Sequence, residues 1–269
     1  GTDEFSGEPV QTLTIEAGPP PAGATRAGPG GTGEFDTANG EGVILSGATI
    51  YQGEDDIEFG GTLSDSLTGV AGDAEGQVLS PPIPQDQQVG IYSNDGTPGS
   101  PRVTVDRPRI TDFEVQNQNG EDIAGGSVGR TNADELIVVA DYNYNNAEDL
   151  EVTVEDDDGL EITDDVIEGS TTANSAGEVS FPLDLSDQSA GSYTVTVEGS
   201  DSLDFGAATE STTIEVTAQD NVGIEVDNDT VTQGDDVRYE VGGGVAGDYH
   251  LVQISANDFR DGQSVDNYA

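Results

Sequence analysis

Short runs of alternating apolar and polar residues dominate this chain. Val, Ile and Leu alternate with Thr and Glu in residues 150–154, 193–197 and 213–217. This spacing is the period of a half-buried β-strand. No segment of ten or more residues keeps a 3.6-residue period, so long helices are not expected. The pattern therefore predicts an all-β protein.

The clearest set of predicted strands lies between residues 108 and 218. Seven short strands with turn residues between them are typical of an immunoglobulin-like β-sandwich. They are predicted at residues 111–116, 135–143, 150–155, 160–163, 178–185, 192–199 and 211–217. Asp157, Asp158 and Gly159 form the predicted tight turn between the third and fourth strands. Tyr193, two residues after Gly191, has the position of a tyrosine corner, which predicts a buried ring and a hydroxyl bonded back to the preceding turn.

Faint internal repeats extend this architecture along the chain. Residues 52–59 resemble residues 233–239, and the triplet Gly-x-Tyr begins at residues 90, 191 and 247. We therefore predict tandem immunoglobulin-like β-sandwich domains in series. The predicted segments are a Gly/Pro-rich arm at 1–40, a first domain at 41–107, a second at 108–218 and the start of a truncated third at 219–269. The chain is expected to continue, with any leader removed and any membrane anchor in a segment absent here.

The charge balance indicates the solvent in which this chain folds. It has 54 Asp plus Glu against seven Arg, no Lys, and a formal net charge of −47. At molar ionic strength the Debye length falls to about 3 Å, so most of the self-repulsion is screened. The composition is therefore typical of a halophile's protein, and no nucleic-acid partner is expected.

Several longer runs resemble a known family. These runs are residues 46–57, 82–86, 108–112, 140–144, 151–156, 191–199 and 203–210. In them the chain resembles the N-terminal portion of the major cell-surface (S-layer) glycoproteins of halophilic archaea. The resemblance implies immunoglobulin-like domains outside the cell, glycosylated, dependent on divalent cations and tiled into a hexagonal lattice. The partner it implies is the chain itself, in a hexameric array.

The leading interpretation is a structural subunit of an extracellular surface layer, a porous acidic coat held together by cation-dependent contacts. The alternative is a secreted adhesin or ligand-binding module built from the same domains. No catalytic residue is predicted and an enzyme is not expected. The single His, His250, lies in an alternating strand pattern, the sequence has no nucleophile elbow or phosphate loop, and acidic pairs are too common to signal catalysis.

Acidic turns are the candidate metal ligands, because Ca²⁺ takes roughly six to eight oxygen ligands from carboxylates, amides and carbonyls. In an immunoglobulin-like sandwich, the turn at Asp156, Asp157 and Asp158 shares one end with Asp187 and Asp220. We predict a Ca²⁺ or Mg²⁺ site formed by Asp156, Asp158, Asp187 and Asp220 at the junction with the third domain. The alternative is a hydrated acidic surface without a bound ion.

Arg102, Arg107 and Arg109 are the densest positive cluster in the chain and are predicted to form an interface. The loop that carries Asp201 and Asp204 is expected at the same end of the second domain. The arginines could therefore pair with these acids within one subunit or across a lattice contact. The alternative is three exposed arginines on a linker.

Asn228 begins Asn-Asp-Thr, the only N-glycosylation sequon in the chain. A sequon of this kind marks an exposed acceptor in a secreted protein. Together with the family resemblance, it predicts a glycan on Asn228.

Overall fold

The computed structural model describes residues 19–218, 223–226 and 237–242. We call residues 19–106 the first unit, residues 107–109 the linker and residues 110–218 the second unit. Nearly all of the regular secondary structure in the described chain is β-strand, which confirms the predicted all-β class. One short α-helix, α1, spans Thr163–Val166. The 3₁₀ turns lie at Pro29–Gly31, Gly72–Ala74, Arg130–Asn132 and Gly206–Ala208.

The first unit has two sheets around one apolar core. Its strands are β1 (Arg26–Ala27), β2 (Gly42–Ile44), β3 (Thr49–Tyr51), β4 (Ile57–Phe59), β5 (Leu67–Gly69), β6 (Val78–Leu79), β7 (Gly90–Ser93) and β8 (Arg102–Asp106). The sheet orders are β1-β2-β4 and β3-β8-β7-β5-β6. Ile50, Leu67 and Tyr92 are fully buried in the core. Burial of such side chains from alternating strands is what holds short strands together.

The second unit also has two sheets. Its strands are β9 (Ile110–Gln116), β10 (Ser127–Gly129), β11 (Leu136–Tyr142), β12 (Leu150–Glu155), β13 (Thr172–Ala173), β14 (Val179–Leu183), β15 (Gly191–Gly199) and β16 (Glu210–Thr217). The sheet orders are β14-β11-β9 and β10-β16-β15-β12-β13. Val152 and Val154 of β12 and Val195 of β15 are fully buried, so the alternation in sequence becomes one face of a packed sheet.

The two units share one arrangement of their five-stranded sheets. In each unit the last strand lies between the second-last strand and a short parallel edge strand, which is β3 beside β8 in one unit and β10 beside β16 in the other. One tyrosine in each unit also makes the same hydrogen bond, to the carbonyl four residues earlier in the chain. Tyr92 donates its hydroxyl to the carbonyl of Gln88 at 2.7 Å, and Tyr193 to that of Ser189 at 2.6 Å. Both rings are buried, which confirms the predicted tyrosine corner.

One predicted strand is wrong. Residues 160–163 form only a bridge between Glu155 and Glu161 before the chain turns into α1. The side chain of Thr163 explains the change, because its hydroxyl accepts the backbone N–H of Val154 at 2.9 Å. The predicted turn before it is present, since Gly159 donates to the carbonyl of Asp156 at 3.0 Å.

Strands also occur within the predicted N-terminal arm and the predicted third domain. Arg26 and Ala27, within the predicted N-terminal arm, pair with β2 and are buried. Strands β17 (Gly223–Val226) and β18 (Tyr239–Gly242) pair antiparallel within the predicted third domain, most of which lies outside the described residues. The domain boundaries and the immunoglobulin-like topology stay predictions.

Candidate interdomain junction

The linker is held on the second unit by one asparagine at the end of β11. The Asn143 side chain donates to the carbonyl of Arg107 at 2.9 Å and accepts the N–H of Arg109, also at 2.9 Å. The backbone N–H of Asn143 donates to the carbonyl of Arg109 at 3.2 Å. Pro108 between them is buried and has a fixed φ. The connection between the units is therefore a fastened segment.

Tyr51 belongs to the first unit by its backbone and to the second by its side chain. Its ring, only 4% exposed, is part of the second unit's core and meets Tyr144 edge-on, with ring centroids 6.3 Å apart. Its hydroxyl donates to the carbonyl of Asn143 and lies 3.1 Å from Oδ1 of Asn146. Burial raises the pKa of Tyr51 to about 12. An aromatic anchor with a bonded hydroxyl stabilises such a contact through area and orientation together.

A buried ion pair fixes the turn that carries Tyr51. Glu54 is fully buried, pairs with Arg26 and accepts the backbone N–H of Tyr51 at 2.9 Å. Arg26 also donates to the carbonyl of Thr49 at 2.7 Å and lies over the ring of Phe35, 4.8 Å from its centroid. Buried charges need partners of this kind, because an unpaired charge away from water is strongly destabilising. Within residues 19–218 this is the only ion pair.

A second buried carboxylate, Glu148, organises residues 200–205, which we call the receiving loop. Glu148 is 0% exposed and accepts the backbone N–H groups of Asp201, Ser202 and Leu203 at 3.0–3.1 Å. It also accepts the hydroxyl of Ser202 at 2.6 Å. Burial raises the pKa of Glu148, and the four hydrogen bonds oppose that rise. Charge-assisted bonds of this kind are among the strongest in proteins.

The receiving loop contacts the turn after Tyr51. The backbone N–H of Asp55 donates to the Ser202 hydroxyl oxygen at 3.3 Å. Gly53, with φ of +89°, packs directly on the ring of Phe205, and a Cβ at that position would collide with the ring. Only glycine combines this conformation with so close an approach. The contact therefore depends on both the turn and the loop.

Residues 36–41 of the first unit make a further contact. The carbonyl of Thr37 accepts the N–H of Asp149 at 2.8 Å. Gly40, with φ of +62°, lies against Glu148 and Asp201, since a Cβ added to it would be 3.3–3.4 Å from their side chains. Asp36 bonds the N–H of Ala38 at 3.2 Å and so holds the loop in shape. The first unit thus contacts the second along two loops as well as the linker.

Three carboxylates converge at this junction. Oxygens of Asp55, Asp56 and Asp201 all lie within 4.8 Å of one another, and in the described part of the chain no other group of three acids does so. Burial and the neighbouring Asp56 raise the pKa of Asp55. Burial, then Asp55 and Asp56, raise the pKa of Asp201. Such a group is costly for the fold in its charged form and is one that a cation would stabilise.

Three of the predicted metal ligands, Asp156, Asp158 and Asp187, lie at the end of the second unit opposite the junction. Asp156 accepts the N–H groups of Asp158 and Leu160 at 2.9–3.0 Å and thereby caps its own turn. Asp158 and Asp187 are exposed. Asp157 lies beside Gly191, so this turn does meet the start of β15 as the topology predicts. Asp156, Asp158 and Asp187 do not converge as the junction group does, and Asp220 lies outside the described residues, so the metal site stays a prediction.

The predicted interface arginines are exposed. Arg102 donates to the carbonyl of Pro98, and the backbones of Arg107 and Arg109 are bonded to Asp106 and Asn143. Their guanidinium groups form no ion pair with the acids of residues 19–218, including those of the receiving loop. Their predicted pairing within one subunit is therefore absent from the described chain. Asn228 lies outside the described residues.

Sequence reasoning missed the buried acids. Among 54 carboxylates, Glu54 and Glu148 carry no local signal that separates them from exposed neighbours. The glycine at 53 and the aromatic residues at 142 and 144 were visible, because they lie in the runs that resemble a known family. Asp201 was correctly expected at the linker end, facing the first unit.

The fold and the junction define an acidic protein of tandem all-β units joined by buried contacts. No protein-family model matches the chain. The chain is 37% identical to the cell surface glycoprotein of Haloarcula japonica over 267 residues, which cover 88% of this chain and 31% of that protein. It is 37% identical to the cell surface glycoprotein of Haloarcula marismortui over 264 residues, with 91% and 30% covered. For the cell surface glycoprotein of Halobacterium salinarum the values are 39% over 242 residues, with 83% and 28% covered.

The chain is therefore homologous, along most of its length, to the cell surface glycoproteins of haloarchaea, which confirms the resemblance found in its sequence. It spans about three tenths of the length of these curated relatives. Their names describe glycoproteins of the cell surface. In the described residues no helix is long and apolar enough to cross a membrane.

Proposed function

We propose that this chain is part of a structural subunit of a haloarchaeal surface layer, where copies form a porous acidic coat through cation-dependent contacts. The junction is the observation that carries the proposal. A buried tyrosine, the buried carboxylate of Glu148 and a fastened linker join the two units. A coat needs building blocks that keep their shape when pulled by neighbours, and such a junction supplies one.

Arginines on the surface support contacts between copies. Arg107 and Arg109 are exposed and have no acidic partner within residues 19–218. With 54 acids against seven arginines, an adjacent copy offers many more carboxylates than guanidinium groups. Bidentate pairing of guanidinium with carboxylate would give such a contact direction as well as attraction.

Seven arginines cannot balance 54 acids where two copies meet, so we propose divalent cations, Ca²⁺ or Mg²⁺, as the remaining bridges. The candidate ligands are the set predicted from the sequence, Asp156, Asp158, Asp187 and Asp220. Monovalent salt screens distant charges but leaves carboxylates that are pressed together without a partner. We also propose a glycan on Asn228, the acceptor of the sequon Asn-Asp-Thr.

Electron microscopy of the complete protein tests the proposal. In multimolar NaCl with Ca²⁺ we expect ordered sheets or hexamers, and a chelator at constant NaCl should dissociate them while circular dichroism stays unchanged. The double variant Arg107→Ser, Arg109→Ser should weaken the arrays without changing the melting temperature of the monomer. Arrays that persist in excess chelator would exclude the cation bridges. A protein that stays monomeric and binds an external ligand would instead be an adhesin.

A further inference from the structure

Glu148 is connected to the first unit through a chain of hydrogen bonds. The Ser202 hydroxyl donates a hydrogen bond to Glu148 at 2.6 Å. The lone pairs of the same oxygen are therefore available to accept the N–H of Asp55 at 3.3 Å. By accepting the hydroxyl hydrogen bond, the Glu148 carboxylate orients the Ser202 oxygen that accepts the N–H of Asp55. A residue of the second unit, itself fully buried, thus determines a bond made by the first.

The same carboxylate determines the path of the whole receiving loop. Three consecutive N–H groups, those of Asp201, Ser202 and Leu203, point at Glu148. Successive amides around one anion form an anion-binding nest. No arginine pairs with Glu148 among the described residues, so these amides are its main compensation. Without the anion, buried donors would lose their acceptor and the loop would rearrange.

The loop conformation in turn decides whether the units fit. The Phe205 ring lies so close to Gly53 that a Cβ at that position would collide with Cε1 and lie 2.6 Å from Cζ. Gly40 lies against both Asp201 and Glu148 itself. A shift of the loop would therefore disturb two separate contacts with the first unit at once.

We infer that Glu148 is the positioning residue of the junction, and that its carboxylate fixes the angle between the two units by holding the receiving loop. This role goes beyond the proposed function, because it concerns one chain and needs no lattice. It also differs from general stabilisation of the second unit. The orientation of the units should respond to Glu148 even in variants whose units remain folded.

A distance measurement across the junction tests this inference in the full chain. The chain has no Cys, so Val78→Cys and Leu160→Cys, at positions 64% and 63% exposed in different units, would carry the only two spin labels. In multimolar NaCl, double electron–electron resonance should give a narrow distance distribution for the parent. We expect Glu148→Gln to broaden it about twofold or more, as for a hinge that has been released. Glu148→Asp, which keeps the charge, should restore part of the narrowness.

Two further variants keep the test decisive. Tyr193→Phe removes one hydroxyl bond at the far end of the second unit and should leave the distribution narrow, although it lowers the melting temperature. Ser202→Ala keeps the amide bonds to Glu148 but removes the hydroxyl that bonds both Glu148 and Asp55. It therefore breaks the hydrogen-bond chain from Glu148 to the first unit and should broaden the distribution even if Glu148→Gln fails to fold. Distributions as narrow as the parent's in the folded Glu148 and Ser202 variants would overturn the inference.

Discussion

The two ends of the second unit use their carboxylates in opposite ways. At the linker end, Glu148 is fully buried and bonded to four donors of one loop. At the far end, Asp158 and Asp187 are exposed, and Asp156 bonds only the amides of its own turn. Screening by salt acts on the exposed acids and hardly reaches the buried one. Exposed acids therefore make the chain sensitive to salt, while a buried acid such as Glu148 fixes the local structure.

Removal of salt should have the largest effect, because it acts on the exposed acids of both units at once. At 0.01 M salt the Debye length grows to about 30 Å, which restores repulsion among distant carboxylates. We expect the far-UV circular dichroism of the β-fold to be lost on dialysis from multimolar to millimolar NaCl. A spectrum unchanged over that range would contradict the halophilic interpretation of the net charge.

Truncation of a buried tyrosine at each end sharpens the comparison. Tyr51→Ala and Tyr193→Ala should each lower the free energy of unfolding by about 3–5 kcal/mol, as expected for buried aromatic residues. Only Tyr51→Ala should separate urea unfolding at constant high NaCl into two transitions, because that ring joins the units. Tyr51→Phe, which keeps the ring, should cost roughly 1 kcal/mol. A single transition in Tyr51→Ala would show that the ring does not couple the units.

Alanine substitutions at two glycines with positive φ distinguish backbone strain from the contact with Phe205. Gly53 and Gly76 have φ of +89° and +74°, but a Cβ would meet Phe205 only at Gly53 and has open space at Gly76. Alanine at either position should introduce backbone strain. Gly53→Ala should cost a further 1–3 kcal/mol or so from overpacking at the junction. Equal losses of melting temperature in the two variants would mean that the Phe205 contact is adaptable.

The smallest effect concerns pH. Folding raises the pKa of Asp55 and Asp201 through burial and neighbouring carboxylates, so the folded chain binds protons more tightly than the unfolded chain. The resulting gain in stability is fully present below the unfolded pKa of about 4. It is lost as pH rises through the pKa values of the folded chain. The melting temperature in high NaCl should therefore rise as pH falls from neutral towards about 4.5. Asp201→Asn should reduce that rise, and an equal rise in the variant would contradict the role of this group.

Strands with strict alternation were predictable from sequence. The strand predicted at residues 150–155 is β12 with the same bounds, and β15 and β16 begin within one residue of their predicted starts. In these strands apolar residues recur at every second position and face the core, so the sequence shows the period of the strand. Strands β10 and β13, with three and two residues, were missed. Segments that short have no period, and only pairing with β16 and β12 makes them strands.

The amino-acid sequence was enough to predict the all-β class, the acidic composition, the tyrosine corner and the family resemblance, because each of these depends on local spacing, on composition or on long runs that resemble the family. Which acids are buried at the junction became visible only in the folded chain. Glu148 and Asp201 are 53 residues apart in the chain and meet through the fold. The role of a carboxylate depends on its burial and on the donors around it. Both are properties of the packed chain, which places Glu148 among amides and leaves Asp158 in solvent.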